Sequence, residues 1–203
     1  MDAQTRIRDR DATRQVFITQ SRRILRLLLE AGVGLLPTEP KAVITPAGHV
    51  FEGQTLTERV CAVSVVRAGE SFEHELWSIA PEMRLGKILI QRDKTTKEPQ
   101  LFYSHLPLEV GDQHVLLLEP MLATGGSLMT ALAVLESVGV SSPRVIVLNL
   151  LSSPQGLERV LSAHPEIDIV TASVESRLDA NAFMVPGIGD FGDRFFGTDG
   201  PRP

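Results

Sequence analysis

The sequence predicts an α/β domain: a mostly parallel sheet with helices on both faces. Three observations predict it. Short apolar runs fit for buried strands recur at residues 57–66, 85–91, 115–118, 144–150 and 167–172. Between most of them lie segments with apolar residues at helical spacing, and strands alternating with helices build parallel sheets. One strand, finally, runs into a carboxylate and a loop of small residues, V-L-L-L-E-P-M-L-A-T-G-G-S from Val115 to Ser127, before a helical pattern opens at Leu128. In open α/β sheets ligands bind at such strand ends. The 203 residues fit one domain, residues 1–203.

Composition bounds the class. Hydrophobic residues at 43% and charged residues at 22% are those of an ordinary globular protein. A formal net charge of −5 argues against a dedicated nucleic-acid binder, which carries a basic face. It leaves room for a small phosphorylated ligand, which a few local arginines can hold. The single cysteine, Cys61, lies in an apolar run and reads as a core residue, not a nucleophile. No pattern reads as a zinc site, and no apolar run approaches the ~20 residues that span a membrane. The N-terminus M-D-A-Q-T-R-I-R-D-R lacks an apolar signal core. A cytoplasmic location is the default expectation, with no nucleic acid and no membrane as partner.

In order, residues 1–14 are polar and expected to be flexible. From Ser21 the pattern is helical, with Ile24, Leu27, Leu28 and Ala31 on one stripe and Arg22, Arg23, Arg26 and Glu30 off it. Gly32 and Gly34 stop it. The arginines fit a solvated face, with a secondary anion site as the alternative. Residues 41–53 read as a hairpin outside the main sheet, turning at Pro46-Ala47-Gly48. After the strand C-A-V-S-V-V, Arg67-Ala68-Gly69 breaks the run, and residues 70–80 are helical with Phe72 and Leu76 inward. The strand at 85–91 ends at Arg92 and Asp93, and L-F-Y-S returns to extended structure. Residues 88–107 thus form a protruding β-hairpin arm whose tip, K-T-T-K-E-P, is expected to be exposed and mobile. Leu128, Ala131, Leu132, Leu135 and Val138 make the next helix, capped by Gly139. Ser153 and Pro154 are an N-cap and first-turn pair opening a helix to about Ala163. From Phe183 the chain is glycine-rich and has no regular period.

The chemistry concentrates at strand ends. A small-residue loop at a helix N-terminus points backbone N–H groups at an anion. Ala123, Thr124, Gly125, Gly126 and Ser127 form such a loop, and Glu119 before it can accept hydrogen bonds from sugar hydroxyls. Together they fit a ribose-phosphate site, although strand–loop–helix joints with Gly and Thr also occur without one. The loop is neither a Walker A nor a G-x-G-x-x-G sequence. Arg67 and Arg92 each follow an apolar strand and should lie at the same edge, where arginine forks pair with phosphate oxygens. A ligand with phosphates at both ends of a ribose would use the loop for one and the arginines for the other. Around Asp190, glycines let the backbone approach a ligand, and backbone groups can read the imide edge of a flat heterocycle. A plain structural loop is the competing account of that stretch.

Four stretches carry a family resemblance: V-S-V-V-R-A-G-E-S, G-K-I-L-I-Q-R-D-K-T-T-K-E-P, L-L-L-E-P-M-L-A-T-G-G-S and V-P-G-I-G-D-F-G-D-R-F-F-G-T-D. In this order they resemble the uracil phosphoribosyltransferases, closer to the eukaryotic-type branch than to the common bacterial one. The resemblance implies the type I phosphoribosyltransferase fold, a parallel sheet with a small hood. It implies transfer of the 5-phosphoribosyl group from phosphoribosyl diphosphate (PRPP) to uracil, giving UMP and pyrophosphate. Glu119 would hold the ribose hydroxyls and Ala123 to Ser127 the 5′-phosphate, with Pro120, Met121 and Leu122 in the same PRPP motif. Arg67 and Arg92 would bind the diphosphate. Met184, Gly189 and Phe191 would contact uracil largely through backbone atoms, within a base-binding loop at 181–200. Asp190 would sit between uracil and ribose, which makes Asp190, Arg67 and Arg92 the candidate catalytic residues. Magnesium would arrive on the diphosphate, without a protein metal site. A homodimer or homotetramer, and in some members GTP as effector, are further implications.

Two departures stand out. The motif's usual Asp is Glu119 here, and a position often held by Tyr is Phe183. Transfer to another base and a non-catalytic binding module are the alternatives. The V-P-G-I-G-D loop favours uracil over the first. Retention of Glu119, Gly125, Gly126 and Asp190 favours an enzyme over the second.

Overall fold

Five parallel strands and one antiparallel edge strand make the central sheet of the computed structural model, which describes residues 2–57, 59–92 and 99–198. In chain order the elements are α1 (Asp2–Arg8), α2 (Arg14–Val33), β1 (Thr38–Ile44), β2 (Val50–Leu56), β3 (Val60–Val66), α3 (Glu73–Ile79), β4 (Arg84–Arg92) and β5 (Pro99–His105). There follow β6 (His114–Leu118), β7 (Met121–Leu122), α4 (Gly126–Ser137), β8 (Val145–Asn149), β9 (Leu151–Ser152), α5 (Pro154–Ala163), β10 (Asp168–Thr171), β11 (Arg177–Leu178), β12 (Met184–Val185) and α6 (Phe191–Phe196). The sheet order is β10-β8-β6-β3-β4-β5, with only β5 antiparallel. The chain goes from β3 to β4 on one side, then returns to β6 on the other. The crevice between β3 and β6 is therefore a switch point, the position at which loops diverge and leave room for a ligand.

Two-sided burial explains the near-continuous apolar strands. Successive side chains point to opposite faces. Val60, Ala62, Leu116, Leu118, Ile146 and Leu148 face a core shared with α2 and α3. Cys61, Val63, Val65, Val115, Leu117, Val145 and Val147 face a second core filled by α4 and by Val160 of α5. Each fully buried Leu or Val contributes roughly 1.5–3 kcal/mol. Gly32 of α2 lies against the sheet: a Cβ there would come within 2.5 Å of the Leu148 side chain.

Several elements differ from expectation. Helix α2 starts at Arg14, capped by the Thr13 hydroxyl, and its buried stripe is Phe17, Ile24, Leu25, Leu28 and Leu29; Leu27 is exposed. The sequence pattern fits either stripe because leucines occupy residues 27–29, and only the sheet's position selects one. Residues 2–8, expected to be loosely held, form α1 with Ile7 fully buried. Arg22 pairs with the buried Glu75 at 2.6 Å, so it is more than a solvated charge. The expected hairpin is β1–β2, which stands apart as its own two-stranded sheet. The arm also forms. Pairing of β4 with β3 ends at Leu89 opposite Val66, the β4–β5 register shifts after Leu89, and the hairpin continues without β3. The arm's tip, residues 93–98, and the Arg92 side chain lie outside the described residues, as do residues 199–203.

Cys61 sits in the core, where burial raises its thiol pKa from 9.0 to about 11. Thiolate is the reactive form. A maleimide or disulfide reagent at pH 8 should leave the native thiol unlabelled while the urea-unfolded chain labels fully. Because the folded pKa is the higher one, the protonated thiol's contribution to stability is complete below about pH 9 and is lost as pH rises toward 11. Cys61→Ala should flatten that alkaline slope in pH-dependent denaturation.

Candidate active site

Glu119 follows directly on β6, and Arg67 directly on β3. Ser64 pairs with Leu118, so the two residues leave neighbouring strands at the same edge. The turn after Arg67 runs tightly over the end of β6: a Cβ on Gly69 would lie 2.2 Å from the Leu118 carbonyl oxygen, a space only glycine tolerates. Lys87 of β4 holds that turn through Glu70 at 2.8 Å and Glu73 at 3.2 Å. Its hydrogen bond to Glu70, and secondarily to Glu73, raises the Lys87 pKa. The Val66–Arg67 peptide is cis. Arg92 ends β4 at this edge as strand backbone.

The small-residue loop is built by its neighbours. Pro120 has no N–H, so the β6 ladder breaks there, and its carbonyl accepts from Leu150 N and Leu151 N. Met121 and Leu122 then pair with Leu151 and Ser152 as β7–β9. Asn149, fully buried at the end of β8, donates its amide to the Glu119 carbonyl at 2.9 Å and fixes the backbone under that carboxylate. The Ser153 hydroxyl donates to the Ala123 carbonyl at 2.6 Å and accepts from Gly156 N, capping α5 and tying it to the loop. Arg159 donates to the Thr124 carbonyl at 3.2 Å. Gly125 adopts φ +75 as N-cap of α4, so the first N–H groups of a twelve-residue helix face the loop. Gly126 lies beside Pro99 at the root of the arm, whose ring carbon would be 3.4 Å from an added Cβ.

The C-terminal stretch holds a short helix that its composition hid. Met184 lies in β12, Gly187 and Gly189 take positive φ, and Asp190 caps α6 by accepting from Asp193 N at 2.8 Å. Phe191 is buried, its ring packed on Phe195 and Phe17. Phe183 is exposed. The loop is braced from the N-terminus. Arg194 donates to the carbonyls of Ile7, Ile188 and Asp9 and stacks over the Phe17 ring at 4.1 Å. Arg8 pairs with Glu175, which accepts from Gly187 N at 2.8 Å. Arg67 reaches this loop directly: its guanidinium pairs with Asp193 at 2.7 Å and donates to Thr198. Sequence reasoning missed Asn149, Ser153 as a loop brace, Arg159, Glu175 and Asp193. Asn149, a polar residue inside an apolar strand, carried a signal; the others become partners only through long-range packing.

The family model described as uracil phosphoribosyltransferase matches residues 2–198. The chain belongs to the uracil phosphoribosyltransferase family. It is 47% identical over 192 residues to the uracil phosphoribosyltransferase of Saccharomyces cerevisiae, covering 95% of this chain and 89% of that one. It is 42% identical over 195 residues to that of Dictyostelium discoideum, covering 96% and 90%. A solved protein structure from Aquifex aeolicus superposes with TM-score 0.85 at 28% identity, covering 97% of this chain and 95% of that one. The fold is the type I phosphoribosyltransferase fold that the resemblance implied.

Glu175 is buried, and Arg8 supplies its only ion pair among the described residues. Arg8→Ala leaves a buried carboxylate uncompensated and should cost about 3 kcal/mol of stability, because breaking one side of a buried pair strands the other charge. The check is a lowered urea midpoint at unchanged slope.

Proposed function

We propose that this chain transfers the 5-phosphoribosyl group of PRPP to uracil, releasing pyrophosphate and forming UMP in pyrimidine salvage. The observation that carries the proposal is the convergence at one sheet edge of an anion loop at the start of α4, the Glu119 carboxylate and Arg67, with Arg67 bonded to the helix that Asp190 caps. The loop Ala123 to Ser127 takes the 5′-phosphate through N–H groups, and Glu119 accepts from the ribose hydroxyls. Arg67 and Arg92 take the diphosphate. The backbone at Met184, Gly189 and Phe191 reads the uracil edge. Pro120, Met121 and Leu122 shape the floor between acid and loop.

At C1 of the ribose, the bond to the diphosphate oxygen breaks, an oxocarbenium-like centre develops, and a uracil nitrogen forms the new bond as its proton is released. The chain's part is orientation and charge stabilisation in a fixed pocket. Asp190 takes the orienting role between uracil and ribose, and the hydrogen bond that its carboxylate accepts from Asp193 N supports that reading by limiting its rotation. Asn149 sets the position of the Glu119 backbone carbonyl, from which the carboxylate is directed. Among the described residues no group of three His, Cys, Asp or Glu side chains could cage a metal. The donor set fits a magnesium ion carried by PRPP oxygens and water, with Glu119 the buried carboxylate at that edge. When bound, magnesium offsets the charge of the leaving diphosphate. A cytoplasmic location and a homodimer or homotetramer complete the proposal. No helix among the described residues is long and apolar enough to cross a membrane. Leu101, Phe102 and Tyr103 on the arm are about half exposed, as residues awaiting a second copy would be. GTP stays a candidate effector with no residue assigned.

Purified protein with PRPP, magnesium and a panel of uracil, orotate, hypoxanthine and adenine should release pyrophosphate with uracil alone. Asp190→Asn should lower kcat/KM for uracil by about 10²-fold, the scale set by misplacing one reactant. Near-normal turnover of that variant would rule out the orienting role.

A further inference from the structure

Arg67 is gripped from the C-terminal side by three residues of α6 and its exit. Its Nη2 donates to Asp193 Oδ1 at 2.7 Å, and its Nη1 donates to the Thr198 hydroxyl. Thr198 Oγ1 in turn donates to the same Asp193 oxygen at 2.7 Å. The guanidinium lies over the Phe196 ring, 5.7 Å from its centroid. The close approach requires Gly192, where an added Cβ would be 3.0 Å from Arg67 Nη2. Asp193 belongs to the turn that Asp190 caps. One short helix thus joins the base-binding loop to the guanidinium placed for the diphosphate.

The chemistry of the grip decides its purpose. A guanidinium carries five N–H groups in a fixed fork. Asp193 and Thr198 engage one each, which leaves Nε and one hydrogen on each terminal nitrogen for a second anion. Both partners of the ion pair are substantially exposed, Arg67 at 41% and Asp193 at 32% of side-chain area, so the pair adds little to stability. What it supplies is direction. A free arginine at a strand end would sample many rotamers and lose that freedom on capturing the diphosphate, and a guanidinium already fixed loses less.

We propose that Asp193 is a positioning residue: with Thr198 and Phe196 it pre-orients Arg67 for the diphosphate of PRPP and makes diphosphate capture depend on the folded base loop. The proposal deepens the phosphoribosyl-transfer reading and rests on it.

Initial-rate kinetics on the intact chain, with pyrophosphate as product inhibitor, test it. Asp193→Asn should raise the KM for PRPP and the inhibition constant for pyrophosphate together, each by about tenfold, a tenth of the ~10² that a full misplacement can cost. The KM for uracil and the melting temperature should stay unchanged, a split that a general structural defect would not give. Asp193→Glu should recover part of the loss. Thr198→Val, which deletes the hydroxyl bridging the pair, should shift the same two constants in the same direction by less, and it carries the test if Asp193→Asn fails to fold. Unchanged PRPP and pyrophosphate constants in Asp193→Asn, or tighter ones, would overturn the proposal; tighter binding would mean that Asp193 competes with the diphosphate for Arg67. Equal losses for PRPP and uracil would also overturn it. A wild-type chain that forms no UMP would instead remove the underlying functional reading, and the proposal with it.

Discussion

Strands β3 and β6 are buried on both faces, and the rest of the molecule depends on that constraint. A strand packed between two helical layers can bear charged groups only at its ends. Glu119 and Arg67 therefore appear one residue past the last apolar position of their strands, at the same edge. The reversal of strand order at β3, with β4 on one side and β6 on the other, opens the crevice there. The fold does not need a special device to gather charge at one place, because burial excludes it from every other part of these strands.

The loops at that edge are held by neighbours distant in sequence. Asn149 and Ser153 fix the 119–127 stretch through the carbonyls of Glu119 and Ala123, and Glu175 fixes the C-terminal loop through the N–H of Gly187. These bonds go to backbone atoms. Each loop is thus braced from behind by groups distant in sequence. Gly69 and Gly156 belong to the same construction, since a Cβ on either would press into a backbone carbonyl, of Leu118 and of Ala123.

The N-terminal helix is part of the site's support. Arg8 reaches Glu175, and Arg194 reaches the carbonyls of Ile7 and, just past the helix, Asp9. A charged, apolar-poor segment gives no amphipathic signal strong enough to predict a helix in isolation, and short helices are marginal without packing. Here one buried isoleucine and a set of arginine-to-carbonyl bonds hold it.

The sequence by itself determined the alternation of buried strands and helices, the helix start at Ser153 and stop at Gly139, the strand-end acid and the small-residue loop after it. Each is a local property, written in hydrophobic period or in residues within a few positions of one another. Tertiary structure alone decided which leucines of α2 face the sheet, that residues 2–8 are helical, that α6 exists, and that Asp193 grips Arg67 across 126 positions of chain. Such contacts depend on which surfaces the sheet order brings together, and no local spacing encodes that order.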